Sequence, residues 1–275
     1  MEEIIRIEHM TKRFKQQTLL EAVNLSIYKG QSVVFTGKNG SGKSTLLRIL
    51  SGLTRETTGT IHRNKDLLIH YIPEHFPRKK LSAYQYLQLV GKIDGCTQAE
   101  VESKIQLLAE EFFISDMLHT PLQFLSKGSL QKIGVIQALI QEPDILLLDE
   151  PLSGQDQRSQ QVFITKMKQL LKKEVTIIMS CHEKHLIRAI SDTAYHIENK
   201  QVQPIAVSAF HTEATFLLTF IDEENQAVLP DTAFIVEQSE NQVQLSVPAS
   251  QTNQLIKIML DNQWTLRRMQ HEDDQ

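Results

Sequence analysis

Along the chain the spacing of apolar positions switches between a period near two and a period near 3.6. The segments "EEIIRIEHM" (residues 2–10) and "AVNLSIYKGQSVVFTG" (22–37) read as strands, the second ending in "SVVFTG" just ahead of a glycine cluster. "GKSTLLRILSGL" then places Leu46, Leu47, Leu50 and Leu53 at helical spacing. "DILLLD" from Asp144 and "VTIIMS" from Val175 read as buried strands, with helical patterns between them. Strands alternating with helices predict an α/β core with a mostly parallel sheet. Between about residues 77 and 141 the strand signal disappears: "LSAYQYLQLVGKI", "QAEVESKIQLLAEEFF" and "SLQKIGVIQALIQ" all have helical spacing, which predicts an inserted helical subdomain. After Gln201 the pattern changes again. "TFLLTFI", "AFIVEQ" and "QVQLSV", a helix near "SQTNQLIKIMLDN" and a closing "WTLRRM" predict a small α+β appendage over 201–275, beside a core over 1–200.

Composition narrows the classes. A chain of 275 residues with 41% hydrophobic and 23% charged residues has enough apolar surface for a sizeable core, and no run of about 18 apolar residues occurs. The N-terminus, "MEEIIRIEHMTKRF", lacks the basic start and apolar stretch of a secretory signal, so a cytoplasmic location is expected. Only Cys96 and Cys181 occur, without metal-type spacing, which argues against a disulfide framework or a zinc site. The net charge of −4 conceals an asymmetry: from Gln201 onward there are 3 basic and 11 acidic residues. The only basic clusters are the short "TKRFK" and "PRKK", so no dense cationic face for nucleic acid is expected.

The chemistry starts at the glycine cluster. Gly37, Gly42, Lys43 and Ser44 satisfy G-x-x-x-x-G-K-[ST], between a strand and a helix as a phosphate-cradling loop requires. Glycines reach positive φ and let phosphate oxygens approach the backbone, and the helix start adds its positive end. On this reading Lys43 reaches the β- and γ-phosphates, Ser44 ligates Mg²⁺ and Thr45 supports an α-phosphate oxygen. A glycine-rich turn with a solvated lysine is the rival reading of the loop alone. "DILLLDEP" weakens that rival, because a run of apolar residues delivers Asp149 and Glu150 to a strand's carboxyl end, where ligands of α/β sheets bind. Asp149 then belongs to the magnesium shell and Glu150 is the general base for the water attacking the γ-phosphate.

With these two motifs in place the sequence resembles the ATP-binding-cassette (ABC) ATPases, the nucleotide-binding subunits of ABC transporters, over about residues 2–200. "LSKGSLQK" (125–132) stands where that family has its signature, "LSGQD" (152–156) matches its D-loop, and "SCHE" puts His182 at the switch-histidine position. Phe14 occupies the place of the aromatic that stacks on adenine. The resemblance implies a P-loop NTPase fold with the helical subdomain inserted, ATP and Mg²⁺ as ligands, and Phe14, Gly37, Asn39, Gly40, Ser41, Gly42, Lys43, Ser44 and Thr45 around one nucleotide. Glu150, His182 and Lys43 are the implied hydrolytic residues. Ser126 and Gly128 are expected to meet a second copy's ATP, so that two ATP molecules are sandwiched in a homodimer. Ser126 as an ordinary helix N-cap is the rival reading of that residue.

Departures from the pattern sit at Glu74, where glutamine is expected, at Lys127 and Ser129 in the signature, and at Gln155 in the D-loop. Glu74 can still ligate magnesium. "IPEHFP" and "LSKG" are similar to the branch that exports drugs, antibiotics and peptides, which implies an active ATP hydrolase driving export. Without a spanning helix, such a subunit needs a separate transmembrane permease. It would sit on the inner face of the membrane and dock near Glu74 to Tyr86, where Phe76, Tyr84 and Tyr86 are either docking groups or core. The alternative is a soluble ABC ATPase acting on nucleic acid or ribosomes, although neither a long coiled coil nor a second cassette is visible.

Overall fold

The computed structural model describes residues 2–210, 215–222, 234–239 and 241–271. The chain divides into two compact units, Met1–Phe210 and His211–Gln275. In the first, the N-terminal alternation pairs β1 (Glu3–Phe14) antiparallel with β2 (Gln17–Tyr28). The backbone then turns at Gly30, with φ 71°, and re-enters as β3 (Ser32–Thr36). The stretch that reads as one strand from Ala22 to Gly37 is therefore two strands in different sheets. After α1 (Lys43–Leu50), β4 (Thr58–Arg63) pairs with the free edge of β1 to give a three-stranded sheet, β2-β1-β4.

The main sheet has six strands. β5 (Ile69–Ile72) is its edge; α2 (Ala83–Ile93), α3 (Gln98–Glu111) and α4 (Lys127–Ile140) follow as the helical insertion. Next come β6 (Ile145–Asp149), α5 (Gln157–Lys172), β7 (Thr176–Ser180), α6 (Lys184–Ile190), β8 (Thr193–Glu198) and β9 (Gln201–Ile205). The strand order is β5-β6-β7-β3-β8-β9, parallel except for β9. Both faces are covered, which explains the unbroken apolar runs. Ile145 and Leu147 of β6 pack with Phe35, Ile178 and the apolar side of α1, while Leu146 and Leu148 face Val34, Met179 and Phe163 of α5. In the insertion, Ser82 with Gln85 and Thr97 with Glu100 form capping boxes that start α2 and α3. Because β9 pairs with β8, the first unit runs to Phe210, beyond the boundary at residue 200 expected from the sequence.

The second unit holds β10 (Thr215–Ile221), β11 (Ile235–Gln238), β12 (Gln242–Pro248), α7 (Ala249–Asp261) and β13 (Thr265–His271), in the sheet order β11-β12-β10-β13. β12 and β13 both run antiparallel to β10, so they are parallel to each other and α7 is their crossover. Leu255 and Met259 of α7 close a core with Leu218, Phe220, Leu245 and Trp264.

Leu147→Ala removes fully buried methyl groups from the face shared with α1 and is expected to lower stability by about 2–5 kcal/mol in urea denaturation. Leu53→Ala, at a position 67% exposed, is expected to stay within about 0.5 kcal/mol.

Candidate functional site

The parallel strands β3, β6 and β7 end at one edge of the sheet, and the chemistry-bearing residues follow directly from those ends. Beyond Thr36 the backbone enters the left-handed region at Gly37 (φ 140°), Gly40 (φ 80°) and Gly42 (φ 110°). A Cβ at Gly37 would lie 2.5 Å from the Ile197 carbonyl oxygen, so that glycine is required by space as well as by angle. No side chain caps α1 at Gly42, which leaves the orphan N–H groups of its first turn for an anion. The Ser41 hydroxyl is buried and has no hydrogen-bond partner among the described residues. Asn39, Gly40, Gly42, Lys43, Ser44 and Thr45 border a cleft of about 650 Å³.

Lys43 is 6% exposed. Its Nζ donates to the Gly37 carbonyl at 2.8 Å and to His182 Nε2 at 2.9 Å, and lies 3.7 Å from Glu150 Oε1. An ammonium donating to Nε2 requires that nitrogen to be an acceptor, and burial, helped by the Lys43 charge, holds the His182 pKa below its usual value. Glu150 sits at φ 48°, a left-handed angle that is strained for a side chain of its size, and its N–H donates to the Ser180 carbonyl and hydroxyl oxygens. Burial pushes its carboxyl up to about 7 against the pull of Lys43, with Glu183, Asp149 and Glu74 adding to the rise.

Asp149 is 1% exposed and fully held. Its Oδ1 accepts from Ser44 Oγ at 3.0 Å and Ser180 Oγ at 2.6 Å, and its Oδ2 accepts from Tyr71 OH at 3.1 Å. Burial and the Asp149 charge push the Tyr71 phenol up to about 12, so it stays a donor. A hydroxyl and a carboxylate converging in this way form the hard, all-oxygen donor set that Mg²⁺ takes, and Ser44 and Asp149 fit that ion. Glu74 borders the same cleft, but its carboxylate lies 3.7 Å from both Lys127 Nζ and His75 Nδ1.

The remaining predicted residues are placed differently. Phe14 is half-exposed at the end of β1, with the Lys12 ammonium 4.7 Å above its ring; Leu19, not Phe14, borders the cleft. Ser126 N-caps α4 by accepting from the Ser129 N–H. Gly128 is packed so tightly on the D-loop that an added Cβ would lie 2.0 Å from the Gly154 carbonyl oxygen. Phe76 is buried against Tyr86 edge to face, and Tyr84 and Tyr86, both partly buried, pack on the same core, while Phe76 also lines a surface cavity with Glu74 and Lys127. Tyr71 has no role in the sequence reading, and Ser153, Ser180 and Glu183 enter it only as members of "LSGQD", "VTIIMS" and "SCHE". Ser180 had a findable signal, since it ends a buried strand next to the one that carries Asp149.

A model of the ABC transporter family matches residues 20–153. The zinc import ATP-binding protein of Halorhodospira halophila is 30% identical, covering 72% of this chain and 75% of that protein. An uncharacterized ABC transporter ATP-binding protein of Methanocaldococcus jannaschii is 32% identical over 68% of this chain and 71% of its own length. Among solved structures, an ATP-binding subunit of an ABC transporter superimposes with TM-score 0.68 at 25% identity, covering 75% of this chain and 91% of that one. A dimeric ATP-binding cassette in a post-hydrolysis state, bound to ADP and Pi, superimposes with TM-score 0.67 at 20% identity, covering 74% and 99%, and shares the fold. The chain belongs to the ATP-binding subunits of ABC transporters.

Proposed function

We propose that this chain is a transport motor: two copies close on two ATP molecules, hydrolysis reopens them, and the cycle drives a separate transmembrane permease. The observation that carries the reading is the convergence of Lys43, Ser44, Glu150 and His182, from three separate segments, on one cleft, with the buried Asp149 accepting from Ser44. In that cleft Lys43 and the first-turn N–H groups of α1 bind the triphosphate. Ser44 and Asp149 would hold Mg²⁺, which would supply positive charge against the phosphate oxygens. Glu150 takes the proton of the attacking water, and His182, whose Nε2 lies 3.2 Å from Glu150 Oε1, orients that water. Ser126, at the start of α4, meets the nucleotide held by the other copy. Phe14 is exposed enough to receive an adenine ring from outside the cleft border.

No helix among the described residues is long and apolar enough to cross a membrane, which suits a subunit that works through a permease at the inner face. The soluble alternative acting on nucleic acid or ribosomes is not favoured, because the relatives are transporter subunits. The export direction suggested by "IPEHFP" and "LSKG" finds no support either. The Halorhodospira halophila relative is named for import, and the motor described here serves either direction.

Glu150→Gln is expected to lower ATP turnover by about 10²–10⁴ while ATP binding persists; turnover like the parent's in a phosphate-release assay refutes the base. Lys43→Ala is expected to cost at least roughly 100-fold in kcat/KM, and an unchanged value refutes the loop reading. The base must be ionised and its carboxyl is raised to about 7 in the nucleotide-free chain, so kcat/KM for ATP is expected to fall about tenfold per pH unit below that value. A flat profile from pH 7 to 5.5 contradicts the assignment.

A further inference from the structure

Two positions at which this chain departs from the ABC pattern carry opposite charges and lie side by side. Glu74 follows the edge strand β5, and Lys127 is the first residue of α4; their Oε1 and Nζ atoms are 3.7 Å apart. Glu74 also stands on the border of the nucleotide cleft, near Glu150, and is among the charges acting on that carboxyl. The pair thus links the cleft of one chain to the segment, Ser126–Gly128, that is read as serving the other copy's ATP.

The helix itself raises the question of what Lys127 is for. A cation in the first turn of a helix opposes the helix dipole, and Lys127 is the first residue of α4. A nearby anion offsets that cost: Glu74 of its own chain does so in this structure, and a phosphate at the N-terminus of α4 could do the same. A single ammonium cannot hold both at full strength. The side chains of Glu74 and Lys127 are 39% and 50% exposed, so the pair is weak, as an interaction that must be released needs to be, and is not a device for overall stability.

We propose that Glu74 and Lys127 form a tether that holds the signature helix against its own chain's cleft in the absence of nucleotide, and that Lys127 exchanges Glu74 for the triphosphate of the second copy when ATP closes the dimer. The tether rests on the motor reading above and adds to it a chain-specific resistance to closure, set by two side chains outside the hydrolytic set. Loss of Glu74 frees Lys127 for phosphate and favours closure. Loss of Lys127 removes the tether together with its reward, and leaves Glu74 with nothing to release.

The test is a double-mutant cycle in the Glu150→Gln background, following the ATP concentration at half-maximal dimer by light scattering after gel filtration. Glu74→Gln is expected to lower that concentration roughly two- to five-fold when Lys127 is present, the scale of an exposed ion pair, and to leave it unchanged when Lys127→Gln is also present. An equal shift in both backgrounds means that Glu74 acts only through its own charge at the cleft, and it overturns the tether while leaving the motor intact. If the Glu150→Gln chain stays monomeric at saturating ATP, the motor reading itself falls, and the tether falls with it. Glu74→Ser serves as a second removal of the carboxylate and must give the same pattern as Glu74→Gln.

Discussion

The site is organised around one buried positive charge. Lys43 has almost no contact with water, and in the nucleotide-free chain its ammonium is met by a carbonyl, a neutral imidazole nitrogen and, at 3.7 Å, a carboxyl raised to about 7. These partners satisfy its hydrogen bonds but neutralise its charge poorly, and an under-compensated buried charge is costly. A triphosphate supplies the missing anion. In the proposed mechanism its arrival also draws Lys43 away from Glu150, so that the step that binds the substrate leaves the proposed base free to act. The parallel sheet makes this arrangement possible, since β3, β6 and β7 bring the loop, the acid pair and the histidine to one edge although they are far apart in sequence.

A second constraint ties the signature to the D-loop. Gly128 and Gly154 approach so closely that a side chain at Gly128 would collide with the Gly154 carbonyl, while Asp156, which caps α5, is bonded to Lys132 of α4 at 2.8 Å. The Lys132 ammonium and the Ser159 N–H hold the Asp156 carboxyl well below the usual carboxylate range, so this join is intact at neutral pH. Packed backbone and a short ion pair thus make one body of the signature and D-loop segments. The Glu74–Lys127 contact, longer and half in water, is of the opposite kind.

What could be read in the sequence was local. The glycine spacing, the apolar run ending in Asp149 and Glu150, and Ser126 ahead of a helix each lie within a few residues, and each keeps its geometry in the fold. What could not be read depends on pairing between distant strands. Tyr71 and Ser180 become partners of Asp149 only because β5 and β7 flank β6, and β5 is three half-buried residues and the buried Ile72, without a clear period. β4, with its exposed threonines and glycine, offers no apolar signal and is held by pairing with β1. Gly128 looked like a phosphate contact, yet its lack of a side chain is already demanded by the Gly154 carbonyl, a neighbour that no local spacing announces. Gly30 divides an apparently continuous strand because a single left-handed residue suffices to send the chain into another sheet.

The most direct measurement is a crystal structure of the Glu150→Gln chain grown with ATP and Mg²⁺. The account predicts two copies arranged head to tail, with the hydroxyl of Ser126 from one within hydrogen-bond distance of a phosphate cradled by Gly37–Ser44 of the other. A structure in which the nucleotide is bound but Ser126 is remote from every phosphate, in every assembly present, would contradict it.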